Sequence, residues 1–572
     1  MNNNSNNNLN NNFNDNPNNT FTASTGTQTP GYTGFFMPKK KVKPLANVEF
    51  NKKDFISFLA TAVIMFLVSY IGIINFFNFG FTITMLLFTV FAFFYLFNKN
   101  SKNKIFDLFL FASSVLLITS FSLNSDSLIK FISILYLLFL LVVSFTGVSN
   151  NISQSDSNYF WIYDSFFKPV KNAFENVFSP FKSAKSSMKN EKGKNITSVL
   201  IGVLVAVPAL FVIVPLLSSS DIAFEAVITK IFENTNLIFS ALLITVLLTP
   251  CFYSLIFYLK KAPRLEQEDL KKHTGKLSAI GINSFLISIS IVYLFYVFTQ
   301  LAYIVDAFSF ILPENYTAAE FARSGFFQMA VIVFINFVIL GYTAINIKRN
   351  NFNLPKSTKG ILIFISAFTI FYISTAIIKM AKYISIYGLT RLRVLTTVFM
   401  LMLAVIFVII ILKLLISKLK YIKPIIVVCT LTLLAISLVD INTVIAEYNY
   451  REYKAGKIQI DVEQIDSLGI SGVPTLTKLV DEKDYDVSFK AKEALMYSNG
   501  DIYFRPFSAD PKETTPAKDS LFEYNLIWIN SKDAFDNFQK KHPQFNEETF
   551  EAEYNKYYEI EEISDVDSDD WY

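Results

Sequence analysis

The chain has 572 residues, of which 52% are hydrophobic and 17% charged, with 60 Phe and 28 Tyr. Soluble domains carry about a quarter charged residues, so this balance excludes a soluble chain and points to a membrane protein. The two cysteines, Cys251 and Cys429, lie apart inside apolar runs and supply neither a disulfide framework nor a zinc set.

The chain opens with MNNNSNNNLNNNFNDNPNN, which offers too little apolar surface to offset chain entropy. Residues 1–45 are therefore expected to be a disordered, Asn-rich cytoplasmic segment. A helix rising 1.5 Å per residue needs about 20 apolar residues to cross a hydrocarbon layer of roughly 30 Å. Eleven runs meet that need, near 55–75, 79–97, 105–123, 128–148, 196–217, 236–259, 277–305, 325–347, 360–379, 394–412 and 424–441. Backbone in lipid must satisfy its own hydrogen bonds, so each run predicts a helix. The first run begins only after a long polar stretch, so it reads as an anchor that stays, not a cleavable signal.

The expected fold class is thus an all-α polytopic membrane protein of about eleven transmembrane helices. Four fall in 46–150 and seven in 196–445, separated by a basic amphipathic cytoplasmic loop at 151–195 in which Phe and Trp alternate with Lys. Such a loop suits an anionic leaflet, with rings in the interface and lysines near head groups. Residues 446–572 are expected to form a small acidic C-terminal domain, α+β or helical, with NLIWI as a candidate strand. NSKDAFDNFQKK and EETFEAEYNKYYEIEEI are its candidate helices.

Lys and Arg accumulate in short cytoplasmic loops. With the N-terminus inside, the inner segments hold 30 cations and the outer turns 7. An odd span count then puts the C-terminus outside. The tail from Glu447 carries 28 acidic and 14 basic residues, a net of −14. The formal total of +4 therefore hides two opposite halves, and no basic-aromatic module points to nucleic acid.

Little here reads as catalysis. His273 falls in an inner charged loop and His542 in the outer tail, so neither can join a metal cluster inside the membrane. No His-Glu-x-x-His, Gly-x-Ser-x-Gly, Walker or Rossmann pattern occurs. DVDSDDWY has the alternating acids of half a calcium loop but lacks its Gly and closing Glu. No catalytic residue, metal or cofactor is assigned.

Seven charged residues gather instead at the outer turns. KMAKYISIYGLTRLR places Lys379, Lys382, Arg391 and Arg393 between two spans, against the sidedness rule. Lys379 and Lys382 end a helix, where cations suit the dipole; Arg391 and Arg393 begin one, where they do not. QLAYIVDAFSFILPENYTAAEFARSGFFQM adds Asp306, Glu320 and Arg323, with Thr317 and Glu320 spaced as a capping box. Either an internal acid, namely Glu320, Asp306 or the acidic tail, pairs with these cations, or an external anion does.

Three ordered stretches, AEFARSGFFQM, KMAKYISIYGLTRLRV and NTVIAEYNYREYKAGKI with a later VPTL, resemble the domain-of-unknown-function family four-one-seven-three and its four-one-five-three relatives. The resemblance covers roughly 200–480 and implies a polytopic protein of the bacterial inner or plasma membrane, with no settled activity. It also implies an acidic-Ala pair before the Pro, where this chain has Ser471-Gly472-Val473-Pro474. The expected role is a non-catalytic envelope sensor, scaffold or accessory factor; the alternative is a transporter or lipid-handling protein with an outer-face anion site. The partner classes are the lipid bilayer, an anionic lipid or envelope polymer, and a membrane signalling partner.

Overall fold

A computed structural model describes residues 50–73, 78–98, 101, 103–124, 126–152, 161–187, 237–261, 277–307, 318–348, 354–497, 526–545 and 549–558, with isolated positions between 202 and 224. Side chains are not described at 184–187, 237–239, 300–307, 318–327 and 528. The Asn-rich head, the run 196–217 apart from isolated positions, and the last acidic residues lie outside the described residues.

Ten of the eleven apolar runs are helices. They are α1 (Lys52–Leu67, continued by a π turn to Ile73), α2 (Phe79–Leu96), α3 (Lys104–Leu123) and α4 (Ser127–Val148). After two short helices, α5 (Lys168–Glu175) and α6 (Ser179–Ser187), come α7 (Leu237–Lys261), α8 (Ala279–Ala307) and α9 (Ala318–Asn346). Then follow α10 (Lys356–Tyr387), α11 (Arg391–Leu415) and α12 (Ile422–Leu438). Nine of the described helices are long and apolar enough to cross a membrane, ten if α12 counts together with its continuation. The chain is a multi-pass, all-α membrane protein, and among the described residues the sole β feature is an isolated bridge, Leu277 to Ile347.

The membrane helices bury two separate cores. The first is built by α1 to α4, α7 and α12, around Phe88, Leu117, Phe121, Leu140, Phe145 and Ile256. The second belongs to α8 to α11, around Leu286, Met329, Ile365, Ile373, Met400 and Phe407. The two groups touch along α11 and α12. Many polar side chains within them bond to a carbonyl of their own helix or to a neighbouring helix. Thr61 and Thr369 donate to carbonyls one turn back, while Ser133 pairs with Ser437 at 2.9 Å and Tyr136 with Thr430 at 2.9 Å. In the second core the Tyr293 hydroxyl donates to Asn336 Oδ1 at 2.7 Å, and Asn336 Nδ2 to Thr369 at 2.9 Å.

Helix ends sort onto two faces. The first face holds the start of α1 beside the end of α7, where Lys261 meets Asp54 at 2.8 Å. It also holds the turn after α4, where Asn151 donates to the Leu259 carbonyl at 2.6 Å. The second face holds the turns between α3 and α4, between α10 and α11, and beyond α12. There the chain bends by 66° after Leu438 into α13 (Ile441–Lys454). Asp440 caps α13, accepting from the Thr443 amide at 3.3 Å.

Beyond α13 the described residues form further helices: α14 (Val462–Asp466), α15 (Val473–Leu479), α16 (Tyr485–Tyr497), α17 (Leu526–Lys541) and α18 (549–558). The strand expected at NLIWI is not one: Leu526 to Ile529 open α17. Ile527, Ser531, Phe535 and Phe538 are buried on α17 at helical spacing, and Ser531 donates to the Ile470 carbonyl at 2.5 Å. The core under these helices unites Ile445, Ile465, Leu476, Leu479 and Ala491 with Ile129 of α4, and Leu389, Val394 and Leu395 pack on it. Ile441, Ile445 and Ala446 of α13 supply one of its walls.

Candidate functional site

The second face brings three inter-helix turns to one point. Arg391 is the first residue of α11, and its Nε lies 3.1 Å from Asp126 Oδ2. The same Nε donates to Asn442 Oδ1 at 3.2 Å, and Nη2 to the Ser467 carbonyl at 3.3 Å. The Asp126 side chain is 2% exposed and that of Arg391 37%. Asp126 is also the N-cap of α4, its Oδ1 accepting from the Ile129 amide at 3.0 Å. A carboxylate that caps a helix and lies beside a guanidinium has a backbone donor on one side and an opposite charge on the other. Asn124, two residues earlier, donates to the Ser437 and Val439 carbonyls at 3.4 and 3.5 Å, so the bend after α12 is tied to the same point.

Arg393 resolves its apparent conflict with the α11 dipole by turning away from it. Its Nη1 donates to the carbonyls of Tyr387 at 2.9 Å and Gly388 at 2.6 Å, at the C-terminus of α10, where a cation is favoured. The guanidinium lies 4.0 Å from the centre of the Tyr383 ring. Gly388 makes the turn at φ 72° and ψ −173°, a backbone region essentially restricted to glycine. A Cβ there would fall 2.5 Å from Asn449 Oδ1.

Asn449 of α13 reads the next residue as a strand neighbour would. It accepts from the Leu389 amide at 2.7 Å and donates to the Leu389 carbonyl at 2.8 Å. Gln464 of α14 donates to the same carbonyl at 2.9 Å. The turn between α10 and α11 is thus gripped by amides from the C-terminal helices.

Of the seven charged residues singled out in the sequence, Arg391 and Arg393 join this network. Lys379 and Lys382 lie half-buried on the last turns of α10. Asp306 ends α8, and Glu320 and Arg323 lie in the first two turns of α9; their side chains are outside the described residues. α9 begins at Ala318, one residue after the expected cap Thr317. The acid that meets Arg391 is Asp126, which a count of loop cations had no reason to notice. Its signal was an Asp immediately before an apolar run, the usual mark of an N-cap.

A second buried ion pair, also unforeseen, closes the first face. Asp54 is 3% exposed, sits in a capping box with Asn51, and accepts from the Tyr95 hydroxyl at 3.2 Å besides its contact with Lys261. Among the described residues, no group of three or more His, Cys, Asp or Glu is placed to hold a metal.

The match to known families falls across this network. The model of the family described as domain of unknown function (DUF4153) matches residues 111–479. The chain belongs to this family. The matched residues include Asp126, Arg391, Arg393, Asn442, Asn449 and Gln464, and they stop short of α16 to α18. No curated protein and no solved structure matches the chain.

Proposed function

We propose that this member of the DUF4153 family is a non-catalytic sensor, scaffold or accessory factor of the cell envelope, resident in the plasma membrane. Its N-terminus is cytoplasmic and its C-terminal helices lie outside, and the kinship with the four-one-seven-three family belongs to the same reading. The observation that carries it is the double grip of the C-terminal helices. Asn449 and Gln464 hold the turn of the second helix group, while Asn442 and Ser467 close on the Arg391 to Asp126 pair that joins both groups. A ligand or partner that displaces these helices acts on both groups at once. The sidedness rests on the cation count and on the parity of the helix ends. α6 packs beside the first-face end of α7, whereas Leu237 begins α7 at the second face, the parity expected if the run 196–217 crosses once.

The second reading is a transporter or lipid-handling protein with an anion site at Arg391. It draws on the two separate cores that meet along α11 and α12, since alternating access rocks one bundle against another. Spin labels at Lys356 and Lys104, both exposed on the first face, distinguish coupling from mere anchoring. In nanodiscs the sensor reading expects the label distance to change when Asn449→Leu and Gln464→Leu loosen the grip on the opposite face. An unchanged distance distribution sinks it.

A further inference from the structure

On the first face, α3 and α12 begin side by side, and a groove of about 780 Å³ opens at their ends. Its rim is formed by Ser101, Asn103, Lys104 and the exposed Ile105; deeper along the helices it is lined by Phe106, Phe109 and Val427. Lys423, in the first turn of α12, stands 4.9 Å from the centre of the Phe106 ring. Neither helix start carries a side-chain cap, so two positive dipole ends and two lysines share the opening. None of the residues lining the groove is acidic. Asp107, the carboxylate of that first turn, is 5% exposed, accepts from Ser101 at 2.5 Å and packs on Gly147 of α4. A cationic rim at the end of a membrane helix above an aromatic wall is complementary to an amphiphile with a negative head, and to a soluble anion only in part.

We propose that this groove is a binding site for an anionic phospholipid of the adjoining leaflet. Lys104 and Lys423 hold its phosphate, and one acyl chain lies along Phe109 and Val427. The site is on the face opposite the Arg391 network and does not depend on the function proposed above. Each lysine close to an anionic lipid surface contributes about fivefold in affinity, so the pair is worth roughly 25-fold.

The reporter is built in. Trp161 is 1% exposed and meets the Phe106 ring at 6.1 Å, and the chain has two other tryptophans, Trp528 and Trp571. In the full-length protein carrying Trp528→Phe and Trp571→Phe, phosphatidylglycerol with brominated acyl chains should quench Trp161 more strongly than brominated phosphatidylcholine. High salt should erase the difference. Lys104→Gln with Lys423→Gln should lower the preference about 25-fold, whereas Lys171→Gln, an exposed cation on α5, should not. Emission from Trp161 at an unchanged maximum reports that the variants keep their packing. Glycerol 1-phosphate should displace nothing, and displacement would assign the rim to a free phosphate ester and overturn the lipid site. Equal quenching by the two lipids at low salt, in the protein with both lysines intact, would overturn it as well.

Discussion

Arg391 and Asp126 meet at 3.1 Å, joining the first residue of α11 to the residue that caps α4. Each alone is poorly placed: an arginine at a helix start opposes the dipole, and a carboxylate 2% exposed is costly to leave charged. Together they convert two local penalties into one contact between the helix groups.

Removing one partner strands the other. Arg391→Ala leaves the Asp126 carboxylate buried with its amide donors alone, which costs about 2 kcal/mol after allowing for the exposure of Arg391. The expected outcome is a lower thermal midpoint in detergent and reduced accumulation in membranes. The exchange Arg391→Asp with Asp126→Arg should recover part of the loss. Full recovery is not expected, because the cap on the Ile129 amide is gone and is worth about 1 kcal/mol.

Two glycines at positive φ separate backbone strain from close contact. Gly456, at φ 69° with open space around it, should tolerate alanine at about 1 kcal/mol. Gly388→Ala should cost about 2–3 kcal/mol, because the ε-like backbone and the Asn449 oxygen both resist a Cβ. Hydrogen exchange at Leu389 is the direct readout, and it should rise in Gly388→Ala and stay low in Gly456→Ala.

Cysteine labelling tests sidedness. With Cys251 and Cys429 replaced by serine, a cysteine at Lys540 should react with an impermeant thiol reagent in intact cells. One at Lys171 should not. The reverse pattern would turn the molecule over and place the Arg391 network in the cytoplasm.

The tail should respond to acid. The Tyr557 hydroxyl donates to the Asp486 carboxylate, and this bond, helped by Lys490 nearby, holds the Asp486 pKa below its usual value. A depressed carboxylate pKa gives stability that is fully present above the unfolded value of about 3.9 and fades as pH falls through the folded one. Docking of α18 on α16, followed by Tyr fluorescence, should therefore weaken below about pH 4. Tyr557→Phe should flatten that dependence while leaving the neutral-pH fold in place.

Sequence periodicity and length located ten described membrane helices, since an apolar run of some twenty residues has few other physical solutions. The turn at 388–390 was also legible, down to which cations end one helix and which begin the next. What the sequence could not reveal were pairings across the fold. Asp126 looks like an ordinary cap, and Asn449 like one polar residue among tyrosines, until α13 is laid against Leu389. NLIWI misled because a short continuous apolar run cannot tell a strand from the buried edge of a helix, and Phe535 and Phe538 decided the matter from further along the chain.

The bend after Leu438 has a mechanical corollary. α13 has 14 residues and is therefore about 21 Å long, and at 66° to α12 nearly all of that length projects sideways. Twisting α12 by ten degrees about its own axis sweeps the far end of such an arm through about 3 Å, as a crank does. Lys454, at that end, is held by Glu482 at 2.9 Å. Small torsions within the bilayer and sizeable displacements of the C-terminal helices are thus two descriptions of a single movement.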